Sequence, residues 1–347
     1  MTKKVLLTGG SGDVGFPTFQ KLLQSESYDV RLLLLPNDSR NKKFKNLKAK
    51  LDICYGDLKN PVDVSKAVEG VDFIVHLGAL IPPVADRFPE LAEEINVGGT
   101  RNIIQAAEAS ERKPKLVYSS SVSIYGDRIQ NPMISVGDPL KPSLGDEYAK
   151  TKIQAEELVR NSELEWTIFR FPAVAVHTRK MDPLMFHMPL DTPIEFCTAN
   201  DTANALVKAL ESDQIWGQVF NLGGGESCRI SYRDYMWRMF NIFGLNPNVI
   251  DERWFAKVNF HCGYYADGDQ LEALLNFREE TLEDHFEDTM KVVPRTQRLI
   301  TKVVPTALLK KYFERMSEPY LAVKNKDEES LKRFYGSWED YHSISSP

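Results

Sequence analysis

Short aliphatic runs recur through the first half of the chain, separated by longer stretches in which apolar residues return every three or four positions. The runs predict strands over 4–8, 30–35, 52–55, 73–77, 115–119 and 166–171, the first of them buried. The longer stretches predict amphipathic helices over 16–24, 90–110 and 147–161. A further helix is predicted over 201–211, opening after a capping Asn200 or Asp201. Strand and helix in alternation make βαβ units, and the right-handed crossover puts helices on both faces of a parallel sheet. Beyond residue 226 the pattern changes to helical periodicity dense in aromatics, among them Tyr232, Tyr235, Trp237, Phe240, Trp254 and Phe255. The expected architecture is therefore a doubly wound α/β domain over 1–170, to which 201–225 returns. A smaller, mostly helical substrate lobe takes 171–200 and 226–347, with 342–347 as a loose tail.

Composition narrows the class without changing that layout. No apolar run approaches the roughly 20 residues that a membrane-spanning helix needs, and the start of the chain does not resemble a secretion signal. Cys54, Cys197, Cys228 and Cys262 lie far apart with no CxxC spacing, so a zinc cluster or disulfide framework is not expected and a reducing cytoplasm fits. The net charge of -6 argues against a nucleic-acid partner, although six basic residues fall between Arg40 and Lys50. No membrane partner is expected either. His177, His187 and His261 show no ligand spacing, and no metal is expected.

The first strand passes directly into Thr8-Gly9-Gly10-Ser11-Gly12-Asp13-Val14-Gly15. In this setting Gly9 can make the tight turn, Gly12 can let a pyrophosphate reach backbone, and Gly15 can bring the helix close to the sheet. The amides through Asp13 and Val14 then face the anion. Here the chain resembles the extended short-chain dehydrogenase/reductase family, of the NAD-dependent epimerase/dehydratase type, whose first turn reads TGxxGxxG in a Rossmann-type domain. Gly56-Asp57-Leu58 resembles the family's adenine-side segment, and His76-Leu77-Gly78-Ala79 its HxAA segment beside the nicotinamide. Asn96 to Thr100 resembles its NxxGT helix, Ser119 to Gly126 its SSxxxYG segment, and Phe220 to Gly224 its FNxGG strand end. Arg170-Phe171-Pro172 aligns with the segment that touches the nicotinamide amide.

Tyr148 and Lys152 have the YxxxK spacing that sets two side chains on one face of a helix, one turn apart. A phenol with a pKa of about 10 is a poor base at neutral pH, and a nearby ammonium favours its ionised form. The resemblance implies that Lys152 also holds the cofactor ribose and that Ser121 hydrogen-bonds the substrate oxygen, with Ser123 the alternative. NADP is expected over NAD, because Leu35 stands where NAD enzymes place an acid while Arg40, Lys42 and Lys43 follow.

The expected activity is carbonyl–alcohol interconversion by hydride transfer. The alternative is a sugar-nucleotide epimerase or dehydratase that uses the cofactor transiently, and a cofactor-binding regulator without turnover stands third. Against the alternative, no Asn follows the strand at 166–171 until Asn200, and Val122 and Ser123 supply no acid after Ser121. The stretch with Met181, Leu184, Met185, Phe186 and Met188 suggests a less polar substrate. The resemblance also implies a homodimer through the helices at 90–110 and 147–161.

Overall fold

The structure is a computed structural model describing residues 2–45, 47, 51–177, 181–246 and 249–344. Lys48 and Lys50 of the basic run and Ser345 to Pro347 of the expected tail lie outside the described residues. The strands are β1 (Lys3–Thr8), β2 (Tyr28–Leu34), β3 (Asp52–Tyr55), β4 (Phe73–His76), β5 (Lys115–Ser121), β6 (Met133–Ile134), β7 (Trp166–Phe171), β8 (Ala173–Ala175), β9 (Pro193–Thr198), β10 (Gln218–Asn221), β11 (Arg229–Ser231) and β12 (Tyr264–Tyr265). Seven of them form one parallel sheet in the order β10-β7-β5-β4-β1-β2-β3.

Why the strands read as unbroken apolar runs is clear from their two faces. Val5 and Leu7 of β1 point to one side with Leu32, Leu34, Val75, Val117 and Phe169; Leu6 points to the other with Leu33, Ile74, Leu116 and Ile168. The first face is covered by α1 (Gly15–Gln24) through Phe19 and Leu22. On the second lie α2 (Pro61–Val68) through Val64 and Val68, and a later helix through Ile103 and Ala107. Each fully buried Leu or Val stabilises the sheet by roughly 1.5–3 kcal/mol.

The helix expected over 90–110 is not continuous. After α3 (Val84–Arg87), α4 (Pro89–Ala92) gives way to a π turn over Glu93–Gly98 before α5 (Gly99–Glu108). The two glycines ease the change, and a Cβ on Gly99 would stand 3.0 Å from that of Leu58. The extra residue in the turn leaves Asn96 buried and aimed at a neighbouring loop. Next comes α6 (Glu147–Arg160), and α7 (Ala199–Ala209) returns to the first face of the sheet through Ala205 and Leu206.

The aromatic region is helical as expected, in α8 (Tyr232–Ile242), α9 (Asp269–Leu275), α10 (Leu282–Val292), α11 (Arg295–Val303), α12 (Thr306–Met316), α13 (Glu318–Asn325), α14 (Glu328–Tyr335) and α15 (Trp338–His342). It also shares strands with the rest: β11 and β9 pair antiparallel, β9 and β8 parallel, and β12 pairs with β6. A second core forms around Phe186, Tyr232, Phe240, Trp254 and Phe313. Two expectations change here. His342 ends a helix rather than lying in a loose tail, and Ile344 packs beside Trp338 and Tyr341. Phe186 and Met188 are buried in this second core, with Met181 and Met185 packed on it, so these side chains fill the lobe.

Candidate active site

The strand order reverses at β1, which pairs with β2 on one side and β4 on the other. The loops that leave β1 and β4 therefore diverge and open a crevice at the carboxyl end of the sheet. Gly9 sits there with φ +68°, where a Cβ would meet backbone of Leu77 and Gly78 at 2.8 Å. A Cβ on Gly15 would stand 2.1 Å from the Gly9 oxygen, and one on Gly12 would lie 3.2 Å from it. The cradle exists only because these side chains are absent, and α1 begins immediately behind it. This geometry fits a dinucleotide pyrophosphate. Asp13 is exposed and Val14 half-buried at the rim.

Beneath the crevice a directional chain of hydrogen bonds joins three elements. Thr8 Oγ1 accepts the amides of Leu77 (3.1 Å) and Gly78 (3.0 Å), so its own proton points at His76 Nδ1, 2.7 Å away. That leaves His76 Nε2 to donate to Thr100 Oγ1 at 3.1 Å, and Thr100 in turn donates to the Asn96 carbonyl at 2.6 Å. Burial, aided by the Lys152 charge, lowers the His76 pKa to about 3, so the ring is neutral. Asn96 accepts the Leu80 amide (2.7 Å) and donates to Leu80 O and Thr151 Oγ1, joining the β4 loop to α6. Leu77, Gly78 and Ala79 line the crevice, half-buried.

The structure brings Ser121, Tyr148 and Lys152 together. Ser121 ends β5, half-buried, and lies close enough to the Tyr148 hydroxyl to draw its pKa down. Ser123 is fully buried, its amide donating to Ser121 Oγ at 3.2 Å. Tyr148 is half-buried on α6; burial and the Asp146 charge hold its phenol above its ordinary pKa, against the pull of Ser121. Lys152 Nζ donates to the Ser119 carbonyl at 2.8 Å and lies 5.6 Å from the centre of the Tyr148 ring. Burial lowers the Lys152 pKa to about 7, opposed by the charge of Glu156. The ammonium expected to bias the phenol is thus tethered mainly to β5 backbone.

Other expected cofactor residues fall around the same crevice with partners of their own. Ser119 Oγ donates to His76 O (3.1 Å), and Asp57 accepts the Lys59 amide (2.9 Å). Leu58 lies against Gly78 and Gly99, and its carbonyl accepts Asn102 at 2.8 Å. Arg40 is held by Asp38 at 2.6 Å in the turn after β2, with its side chain 64% exposed. Phe171 ends β7 and Pro172 follows it, whereas Arg170 turns away into a buried pair with Glu156 at 2.8 Å and donates to Tyr125 Oη at 2.6 Å. No group of His, Cys, Asp and Glu among the described residues could hold a metal ion.

Several supporting residues carry no sequence signal. Asp86 accepts the amides of Glu147 (3.1 Å) and Tyr148 (3.3 Å) at the start of α6, and Arg333 of α14 donates to it at 3.2 Å. Asp146 caps the same helix through the Ala149 amide and meets His261 Nδ1 at 2.8 Å. His187 lies 2.9 Å from Glu318, which also pairs with Arg87. These histidines have carboxylate neighbours from distant parts of the chain.

A seven-stranded parallel sheet with a glycine cradle at its switch point is the architecture of the extended short-chain dehydrogenases/reductases. Residues 5–177 match the model of the NAD dependent epimerase/dehydratase family, and through them the chain belongs to that family. Its relatives differ in reaction. A 3-beta-hydroxysteroid dehydrogenase of Mycolicibacterium neoaurum is 33% identical over 168 residues, 45% of this chain and 42% of that protein. D-erythronate dehydrogenase of Haemophilus influenzae is 24% identical over 51% of this chain and 56% of its own length. The chain thus spans about half the length of the curated relatives it matches. Among solved structures, a short-chain dehydrogenase/reductase superfamily protein of Agrobacterium tumefaciens with bound NAD superposes with a TM-score of 0.63 at 20% identity. It covers 86% of this chain and 99% of that one. A double mutant of the dTDP-glucose 4,6-dehydratase DesIV of Streptomyces venezuelae gives 0.69 at 21% identity, covering 83% and 95%.

Proposed function

We propose that this protein is a nicotinamide-dependent reductase or dehydrogenase that interconverts a carbonyl and an alcohol on a small molecule. The observation that carries the reading is the contact between Ser121 and Tyr148, half-buried at the carboxyl end of the sheet, beside the Lys152 ammonium. Bound nicotinamide supplies or accepts the hydride. Ser121 holds the substrate oxygen, and Tyr148 passes it a proton; a phenol held above its ordinary pKa is in the protonated form that reduction needs. Lys152 steadies the charge that the phenol acquires and offers its remaining donors to the cofactor ribose. Val122 and Ser123 place no acid after Ser121, which argues against a dehydratase.

We further assign NADP as the cofactor. Leu35 puts no carboxylate at the end of β2, and Arg40 projects beside Asp13 of the cradle with most of its side chain in water. Asp38 already neutralises part of that charge, so the preference over NAD is modest. Four free cysteines suit the reducing cytoplasm.

The test follows absorbance of NADPH or NADH with ketones, aldehydes and sugar nucleotides in turn. Net consumption, faster with NADPH, is expected. Tyr148→Phe should lower it by about 10²–10⁴-fold, Ser121→Ala should lower it strongly, and Ser123→Ala should leave it near normal. A flat trace with conversion of a sugar nucleotide transfers the protein to the epimerases, and a preference for NADH overturns the NADP assignment.

A further inference from the structure

Helix α11 contradicts the usual logic of a packed helix, because none of its nine residues is buried. Its partly buried positions are the polar Gln297, Arg298 and Thr301, whereas Leu299, Ile300 and Val303 are exposed. At roughly 100° per residue these three apolar side chains share one arc of the helix. The apolar stripe therefore faces out and the polar stripe faces in, the reverse of a helix seated on a core.

The next helix is firmly anchored by an inward apolar stripe yet also carries apolar residues outside. On α12, Phe313 is buried with its ring centre 5.6 Å from those of Phe240 and Trp254. Leu308 and Tyr312 of the same helix remain outside. Since α12 already has its place in the core, its outward apolar residues are surplus to folding. Across the two helices these five apolar residues are 53–78% exposed.

Charge supplies the direction. Between Arg295 and Met316 stand Arg295, Arg298, Lys302, Lys310, Lys311 and Arg315, against the single carboxylate of Glu314, in a chain whose net charge is -6. Apolar side chains flanked by unscreened cations match neither a nucleic acid, which offers them nothing to bury against, nor an acidic protein chosen by charge alone. Both features suit an anionic bilayer surface. Neither helix is long or apolar enough to cross one, so the pair would lie on it.

We propose that α11 and α12 dock this protein reversibly on anionic lipid, with Leu299, Ile300, Val303, Leu308 and Tyr312 at the boundary between headgroups and acyl chains. The proposal departs from the expectation of no membrane partner, which rested on the lack of an apolar run long enough to span a bilayer. The docking is independent of which reaction the site performs.

The test is cosedimentation of the full chain with vesicles of equal parts phosphatidylcholine and phosphatidylserine, with phosphatidylcholine alone, and without vesicles. Pelleting with the phosphatidylserine vesicles, reversed by salt, is expected. Changing Leu299, Ile300 and Val303 together to Asp should leave the protein in the supernatant with its thermal transition and cofactor binding intact. Should that variant not fold, Lys302→Gln and Lys311→Gln each lower partitioning by about five-fold. Absence of vesicle-dependent pelleting, or pelleting unchanged in these variants, overturns the proposal. Self-association that the Asp changes abolish, without vesicle binding, also overturns it and assigns the face to a second copy.

Discussion

His76 shows how a residue can matter to the site without touching what the site binds. Its ring is the middle of the chain from Thr8 to Asn96, and only the neutral form with its proton on Nε2 satisfies both neighbours. Below its ordinary pKa of 6.5 the unfolded chain takes up a proton that the folded protein, with a value of about 3, refuses. Stability contributed by this residue is therefore complete above pH 6.5 and is lost as pH falls toward 3, by up to about 1.4 kcal/mol per unit. Urea unfolding across that range should show a shallower decline for His76→Gln than for the parent, and equal slopes would refute the role. At this scale the sequence was informative where chemistry depends on spacing: Tyr148, Lys152, Gly9 and Gly15 are set by one helical turn and one tight loop. It was silent where partners are remote, as Asp86 and Arg333 stand 247 positions apart.

The start of α6 is held from three directions, and this fixes where the Tyr148 side chain emerges. Asp146 caps it from within the chain's local order, Asp86 accepts two of its first amides, and Arg333 holds Asp86 in place. Asp86→Ala should cost about 1–2 kcal/mol, the range for losing a helix cap, while leaving Arg333 without its partner. It should also lower kcat far more than it changes the KM for cofactor, because the glycine cradle lies on a different element. Normal kcat in the variant would show that Asp86 does not position Tyr148. Six strands of the large sheet were readable from the pattern of apolar runs, and β1, β3 and β7 fall within a residue of expectation. The π turn was not, since Asn96 gains its partners only after the β4 loop and α6 have met. Nor does periodicity say which stripe of α11 turns inward; that depends on the Gly244 loop beneath Arg298.

At the scale of the molecule, α5 and α6 pack side by side on one face of the sheet and leave Arg101, Gln105, Lys150, Gln154 and Glu157 outside. We propose that this pair forms a homodimer interface, and light scattering should report twice the mass of the chain; a monomer would refute it. The lobe boundary is less simple than a composition shift suggests, because β12 joins β6 across it. The contact between Arg333 and Asp86 also sets an order of events during synthesis. A ribosome releases α6 well before α14, so the cradle and the Ser121–Tyr148 contact can assemble on a nascent chain that still lacks the residue bracing its catalytic helix. A chain stalled ahead of α14 would then capture cofactor yet turn over poorly, and catalytic competence would arrive only with one of the last helices to be made.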